Sequence, residues 1–359
     1  MKFKCIHVGL GIFSLQRLQI NLNNNNFEVV AFVDLDKEKS LERLKKLKNI
    51  PSNVESRVFT TITEAKKKYD AEVCFIYVSS EVHSNLIIES LNLDMHTLCV
   101  KSIACNTDQF KEIMKVKNKK PNLILVQGLN NQFNEASSMM QKILNNKEKF
   151  GDFKFGHCLV WGRQNLKSSK PLVDTTQDGI FFHSMGCHQL SQLVSALGLP
   201  RTVYSLSPKI YNEELGFVNA ERTSGGSCML EYDNNSVFSY LGTRAAHSNP
   251  FGFASRWTGQ WLFHGTKGDL KREGGRITLF QNGNIVMDNF FKDLDENLIE
   301  DDNQQFKIFY DNLNGNKEFD LQKKSLETWI LMEACNLSSR SKKEVIINDF
   351  IDKLNFLQT

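Results

Sequence analysis

No C-x-x-C pair occurs among the eight cysteines, which stand at positions 5, 74, 99, 105, 158, 187, 228 and 335. Thiols scattered in this way argue against a disulfide framework and against a linear zinc motif, and they fit a reduced, cytoplasmic setting. No apolar run approaches the roughly 20 residues that a bilayer span needs. The opening stretch MKFKCIHVGL runs straight into a strand pattern, without the layout of a signal peptide. Charge of one sign is also missing: the formal net charge is only +3 over 359 residues. The lysine clusters at 66–68 and 117–120 are short and flank apolar segments, so they read as solvated helix faces or loops. Neither nucleic acid nor an anionic membrane is an expected partner. Internal repeats are absent as well.

The composition that remains is that of a globular protein, 41% apolar and 24% charged, in a chain long enough for two domains. Its first third alternates short apolar strands with amphipathic helices. Residues 3–8 form a strand, Gly9-Leu10-Gly11 a tight turn, and Ile12 to about Leu22 a helix. The stretch FEVVAFVDLD is a second buried strand ending on Asp34. A dinucleotide-binding βαβ unit needs this order, with the helix N-terminus at the pyrophosphate and an acid on the ribose hydroxyls. Ser14 stands where the third glycine of a G-x-G-x-x-G fingerprint belongs. That glycine serves close helix–strand packing, and serine is small enough for the place. A plain strand-to-helix turn is the alternative.

Asp34 favours NAD over NADP, because a carboxylate there accepts from the ribose hydroxyls and repels a 2′-phosphate. Leu35 and Asp36 bring no arginine, which leaves Lys37 as the nearby cation. Further apolar strands follow in AEVCFIYVSS, HTLCVKS and NLILVQG, each separated by a helix. Near-continuous apolar strands of this kind specify a parallel sheet covered on both faces. The expectation is a doubly wound Rossmann domain over residues 1–126. Gly9, Gly11, Ile12, Phe13, Asp34, Ser79 and Lys101 are its expected cofactor contacts.

From DFKFGHCLVWGR onward the pattern shifts to longer alternating strands in TVYSLSPKIY, GGSCMLEYD, SVFSYLGTRA, QWLFHGTKGDLKRE and RITLFQNG. They suggest an α+β domain over 127–359, with a large, open-faced, mostly antiparallel sheet and helices at about 184–197 and 324–338. Lys101 falls at the carboxyl end of a parallel strand, where ligands bind in open α/β sheets. Its ammonium can stabilise a developing alkoxide. On a regular helix Ser184 and His188 are i, i+4 neighbours, so His188 can take a substrate proton with Ser184 as its partner. His183, five residues from His188, points elsewhere on such a helix. A metal bound by His183, Cys187 and His188 is not expected, since no second ligand cluster accompanies them.

At CVKSIACNTDQF and DGIFFHSMGCHQLSQLVSALG the chain resembles the glucose–fructose oxidoreductase, inositol dehydrogenase and MocA group of NAD(P)-dependent enzymes. The resemblance runs on through WLFHGTKGDL and the segment SLETWILMEACNLSSRSKKEVII. In that family a strand ends in E-K-P, and here only Lys101 of Val100-Lys101-Ser102 remains. Its D-x-G-x-H element appears as Ser184-Met185-Gly186-Cys187-His188, without the acid. The resemblance implies a dehydrogenase acting on a sugar, nucleotide sugar or cyclitol, assembled as a homodimer or homotetramer through the second sheet. By the same analogy Asn130, Gln132, Trp161, Arg163 and His183 are candidate substrate contacts. Two other functions remain open: a dinucleotide-binding sensor or scaffold that has lost catalysis, and a biliverdin-reductase-like enzyme on a non-sugar substrate.

Overall fold

The computed structural model describes residues 2–163, 181–208, 213, 214, 216, 224–248, 259–292 and 294–354. The chain forms two compact units: Met1–Gly128 with Asp302–Ser325 and the tail from Leu354, and Leu129–Asp301 with Leu326–Lys353.

In the first unit the strands are β1 (Phe3–Val8), β2 (Phe27–Val33), β3 (Val58–Phe59), β4 (Val73–Ile76), β5 (His96–Val100) and β6 (Leu125–Gly128). They pair in parallel in the order β3-β2-β1-β4-β5-β6. This is the doubly wound arrangement, with a switch between β1 and β4 where the chain turns to the other side of the sheet. Between the strands run α1 (Ile12–Leu22), α2 (Lys37–Leu44), α3 (Ile62–Lys68), α4 (His83–Asn92) and α5 (Thr107–Lys117). Side chains of Asp36, Thr61 and Asn106 cap α2, α3 and α5 by accepting from first-turn amides.

The second unit begins with α6 (Glu135–Leu144), β7 (Phe153–Trp161) and α7 (Cys187–Leu197), then β8 (Thr202–Leu206), β9 (Gly225–Glu231) and β10 (Val237–Thr243). β11 (Gln260–Gly265), β12 (Asp269–Glu273), β13 (Arg276–Gln281) and β14 (Asn284–Phe290) follow. The chain ends with α8 (Leu294–Leu313), α9 (Leu321–Ser341), β15 (Val345–Ile346) and α10 (Ile347–Lys353). The nine strands run in the order β14-β13-β12-β11-β7-β10-β9-β8-β15, all antiparallel except the β7–β10 pair. On one face Phe181 and Phe182 fill the space over Gly226 and Gly242, where any Cβ would come within 3 Å of their rings. The alternating residues of the other face include Phe155, Tyr204, Met229 and Leu241, all exposed.

Three differences from the sequence reading have physical causes. Asp302–Ser325 folds with the first unit, although the reading assigns all of 127–359 to the second domain. The reason is a ring cluster: Phe306, Phe309 and Tyr310 of α8 close over Phe27, with centroid distances of 6.4, 6.1 and 6.1 Å. Arg17 on α1 pairs with Asp302 at 3.0 Å beside them. Second, QWLFHGTKGDLKRE is two strands, because the turn at Gly268 reverses the chain into an antiparallel pair. Third, the helix expected from residue 184 starts at Cys187 and follows a π turn over Phe182–Gly186. Residues 209–211 of TVYSLSPKIY, 164–167 of WGRQNLK and 178–180 of DGIFFH lie outside the described residues.

The ring cluster makes a quantitative expectation. Phe309 is fully buried, so Phe309→Ala should destabilise the first unit by about 3–5 kcal/mol. Urea unfolding read from first-unit probes checks this, and a loss under about 1 kcal/mol would contradict the packing described.

Candidate functional site

The turn after β1 is shaped by one close approach. Gly9 has φ +92°, and a Cβ there would lie 2.3 Å from the Tyr77 carbonyl oxygen and 2.7 Å from a Val78 methyl. Only glycine fits. At Gly11 the situation is the reverse, since a Cβ would meet nothing within 4 Å. Gly11 is the N-cap of α1, with no side-chain cap and no acidic residue in the first turn. The uncapped amides and the positive end of the helix dipole, beside open space, are the features that favour an anion at a helix terminus. Ile12 and Phe13 stand exposed at its start.

Asp34 follows β2, as the spacing requires, and its Oδ2 accepts from the Leu10 N–H at 2.7 Å. Leu35, next to it, is 90% exposed and offers an apolar surface. Lys37 is not the sole cation nearby, which corrects the sequence reading. Arg43 on α2 donates to the Leu10 carbonyl at 2.9 Å. A helix turn brings this guanidinium back to the glycine turn, 33 residues along the chain.

Ser79 is half-buried after β4, and Lys101 half-buried after β5. The Lys101–Ser102 peptide is cis. The sequence reading missed His83 at the start of α4. Its Nδ1 lies 2.7 Å from the Ser102 carbonyl and its Nε2 3.0 Å from the Val78 carbonyl. One buried ring thus spans the ends of β4 and β5, beside Ser79 and Lys101. A histidine in the first turn of a helix that follows an apolar strand was the available signal.

Ser14 is more than a small substitute for glycine. Its hydroxyl donates to the Gly9 carbonyl at 2.5 Å, and the His7 Nε2 lies 2.7 Å from the same oxygen. The serine proton is committed to Gly9, so His7 is the donor to Ser14 and carries its proton on Nε2. His7 is fully buried and stacks on Tyr77 at 5.2 Å. Burial lowers its pKa to about 3.

In the second unit the π turn and α7 carry the histidines. His183 is buried, and its Nε2 sits 3.0 Å from Oε2 of Glu333 on α9. Burial raises the Glu333 pKa; the His183 hydrogen bond and charge, Asn336 and Arg340 outweigh it, and the carboxyl ends lowered. Arg340 holds the other oxygen at 3.0 Å. Ser184 accepts from the buried Arg244 at 3.1 Å and reaches the Phe181 carbonyl at 3.5 Å. A π turn holds more residues than an α turn, so the i, i+4 alignment expected for Ser184 and His188 does not apply. His188 opens α7 half-buried, and its carbonyl accepts from the Ser191 and Gln192 side chains.

Among the other candidates, Asn130 is buried at 9% exposure in a short 3₁₀ turn. Gln132 lies in the same turn with its amide engaged by the protein: it donates to Leu129 at 3.0 Å and accepts from Ser195. Arg163 pairs with Glu214 and donates to the His247 carbonyl. Trp161 lines a cavity of about 440 Å³ with Gly225, Gly226, Gly242, Thr243 and Ala245. Among the described residues, no group of three or more His, Cys, Asp or Glu side chains is placed to hold a metal ion. No described helix is long and apolar enough to cross a membrane.

Residues 3–127 match the family model for the Gfo/Idh/MocA oxidoreductases, described as an oxidoreductase family with an NAD-binding Rossmann fold. This segment is similar to that family over about a third of the chain. No curated protein matches the chain. Solved structures share its fold at low identity. An oxidoreductase from Agrobacterium radiobacter, in complex with NAD+, L-tartaric acid and magnesium, is 15% identical, with TM-score 0.80 over 97% of this chain and 99% of that one. The myo-inositol 2-dehydrogenase of Lactobacillus plantarum is 18% identical, with TM-score 0.74 over 96% and 99%. The WlbA dehydrogenase of Chromobacterium violaceum, in complex with NADH and UDP-GlcNAcA, is 18% identical, with TM-score 0.73 over 96% and 95%.

The state of His7 gives a pH dependence. Below pH 6.5 the unfolded chain protonates this ring, whereas the folded chain refuses the proton down to about pH 3. Stability therefore falls on acidification through that window, by at most about 1.4 kcal/mol per pH unit from this group. Unfolding free energies between pH 7 and 4 should show a shallower slope in His7→Leu than in wild type. Equal slopes would contradict the buried neutral ring.

Proposed function

We propose that the protein is an NAD-dependent dehydrogenase acting on a secondary alcohol or ketone of a sugar, nucleotide sugar or cyclitol. The reading rests above all on Gly11: open space at an uncapped helix terminus, in a turn tied to Asp34. Gly9, Gly11, Ile12 and Phe13 would hold the pyrophosphate segment, Asp34 the adenosine ribose, and Ser79 and Lys101 the nicotinamide end. Bound NAD supplies a hydride acceptor and NADH a donor. Lys101 hydrogen-bonds the substrate oxygen and stabilises the alkoxide; His188 takes the hydroxyl proton on oxidation and returns it on reduction. Ser184, held by Arg244, fixes the turn that leads into His188. Asn130, Trp161, Arg163 and His183 remain proposed substrate-side residues, and Gln132 acts there through its backbone turn. The polyol named for one relative, and the acids held by two others, support a polyhydroxylated substrate. The exposed apolar sheet face supports a homodimer or homotetramer, and the unpaired cysteines support the cytoplasm.

One set of observations favours a second reading. Val100, Ser102 and Ser184 replace three family positions, and Ser184 carries no charge, which suits a sensor that binds NADH without turnover.

Gly11→Ala separates folding from binding. It should leave the melting temperature unchanged and weaken NADH by more than about tenfold. NADH titrated by fluorescence transfer, with NADPH in parallel, provides the check; unaltered affinity would sink the nucleotide site. Asp34→Ala should lower the preference for NADH over NADPH, the more so with Arg43 beside the turn. Lys101→Ala or His188→Ala should abolish turnover of a polyol while NADH binding persists. A wild-type protein that binds NADH yet turns over no member of a sugar and cyclitol panel would favour the sensor.

A further inference from the structure

A single peptide unit joins the two halves of the nucleotide turn. Its carbonyl, on Gly9, accepts from Ser14 Oγ; its N–H, on Leu10, donates to Asp34 Oδ2. Upstream, the His7 Nε2–H donates to Ser14. The hydrogen bonds thus run in one direction: His7 to Ser14, Ser14 to the Gly9–Leu10 peptide, and that peptide to Asp34. The start and the middle of this series are fixed by the fold. His7 is buried in β1 and stacked on Tyr77, and the Gly9 backbone packs closely against the Tyr77 carbonyl, where a Cβ would lie 2.3 Å from the oxygen, while its N–H donates to Val33. Hydrogen bonds linked in series polarise and align one another.

We propose that His7 and Ser14 are positioning residues for cofactor recognition: they set the Gly9–Leu10 peptide plane and, through it, the orientation of Asp34. Serine at position 14 is then a functional element of this turn, and restoring the glycine of the usual fingerprint weakens dinucleotide binding. The inference rests on the reading of the turn as an NAD site. A fingerprint glycine closes the helix onto the strand but cannot hold the Gly9 carbonyl. In this chain the hydroxyl holds it, and the histidine in turn fixes the hydroxyl, because a serine with both neighbours assigned has one orientation left. The carboxylate that recognises the ribose is consequently placed before the ligand arrives.

Ser14→Ala, Ser14→Gly and the double variant His7→Leu/Ser14→Ala test this. Both single variants should weaken NADH about five- to tenfold, the loss of one hydrogen bond to a preorganised group. NADPH should weaken less, because Asp34 gives the 2′-phosphate no favourable contact. The preference between the cofactors therefore narrows, which loss of stability alone would not cause. Hydrogen exchange at the Leu10 amide, measured without ligand, should quicken in both single variants. The double variant removes the buried ring nitrogens together with the hydroxyl. It should recover most of the melting temperature while its NADH affinity stays low.

Recovery of affinity along with stability in the double variant would overturn the proposal, as would a Ser14→Gly protein that binds NADH as tightly as wild type. A wild type that binds no NADH would overturn the nucleotide reading and the proposed role with it. The Leu10 exchange rates would still show whether the peptide plane depends on Ser14, so the two failures are distinguishable.

Discussion

Gly9 has no room for a side chain, and much of the first unit follows from that one contact. Its backbone packs against the Tyr77 carbonyl and the Val78 side chain, so the end of β1 is pressed onto the end of β4 at the switch in the sheet. The positive φ required there turns the chain outward, and Gly9 N–H caps the edge of β2 by donating to Val33. The helix that follows must begin at Gly11 with its amides unclaimed. A larger residue at position 9 would separate β1 from β4 and move that helix terminus. The site is in this sense a by-product of how tightly two adjacent parallel strands are joined, which is why ligands collect at such switches.

His83 performs a related task at the next strand end. Its ring fills the space between the Val78 and Ser102 carbonyls, with a nitrogen 3.0 and 2.7 Å from each, and so links the loop after β4 to the loop after β5. Lys101 is thereby held at a position where the family pattern has a proline after the lysine and this chain has Ser102. The usual local constraint, a fixed φ at proline, is replaced by a side chain 19 residues upstream. Substitution at Ser102 changes the local residue while the loop remains anchored from elsewhere.

The parts of this protein that were legible in the sequence are those written locally. Gly9, Gly11 and Asp34 form a linear pattern whose spacing reflects one βαβ unit, and the strand alternation gives both sheets. Lys101 follows from its place at the end of an apolar strand. Contacts that depend on distant segments were not legible. Arg43 reaches Leu10 by way of a helix, α8 returns Phe306 and Phe309 to strands about 280 positions earlier, and Glu333 meets His183 across 150 residues. An amphipathic helix announces that it covers something; periodicity does not say which sheet. The π turn was hidden for another reason, since Ser184–Gly186 read as the start of an ordinary helix and nothing in the residue pattern distinguishes a wider turn.

The charge distribution around that π turn bears on what the missing family aspartate means. Position 184 carries no carboxylate, but Glu333 places one against the residue before it. Glu333 is buried, held ionised by His183, Asn336 and Arg340, and contacts the residue immediately before Ser184. Ser184 in turn faces Arg244, a fixed cation that an aspartate at 184 would have met as an ion pair. A buried charge tolerates loss of a partner poorly, so a change at position 184 alone would be costly. Ser184 with Arg244, and His183 with Glu333, are two neighbouring buried contacts that fix the π turn. Glu333 gathers His183 from the π turn and Asn336 and Arg340 from its own helix, so one buried charge couples α9 to the segment that leads into His188.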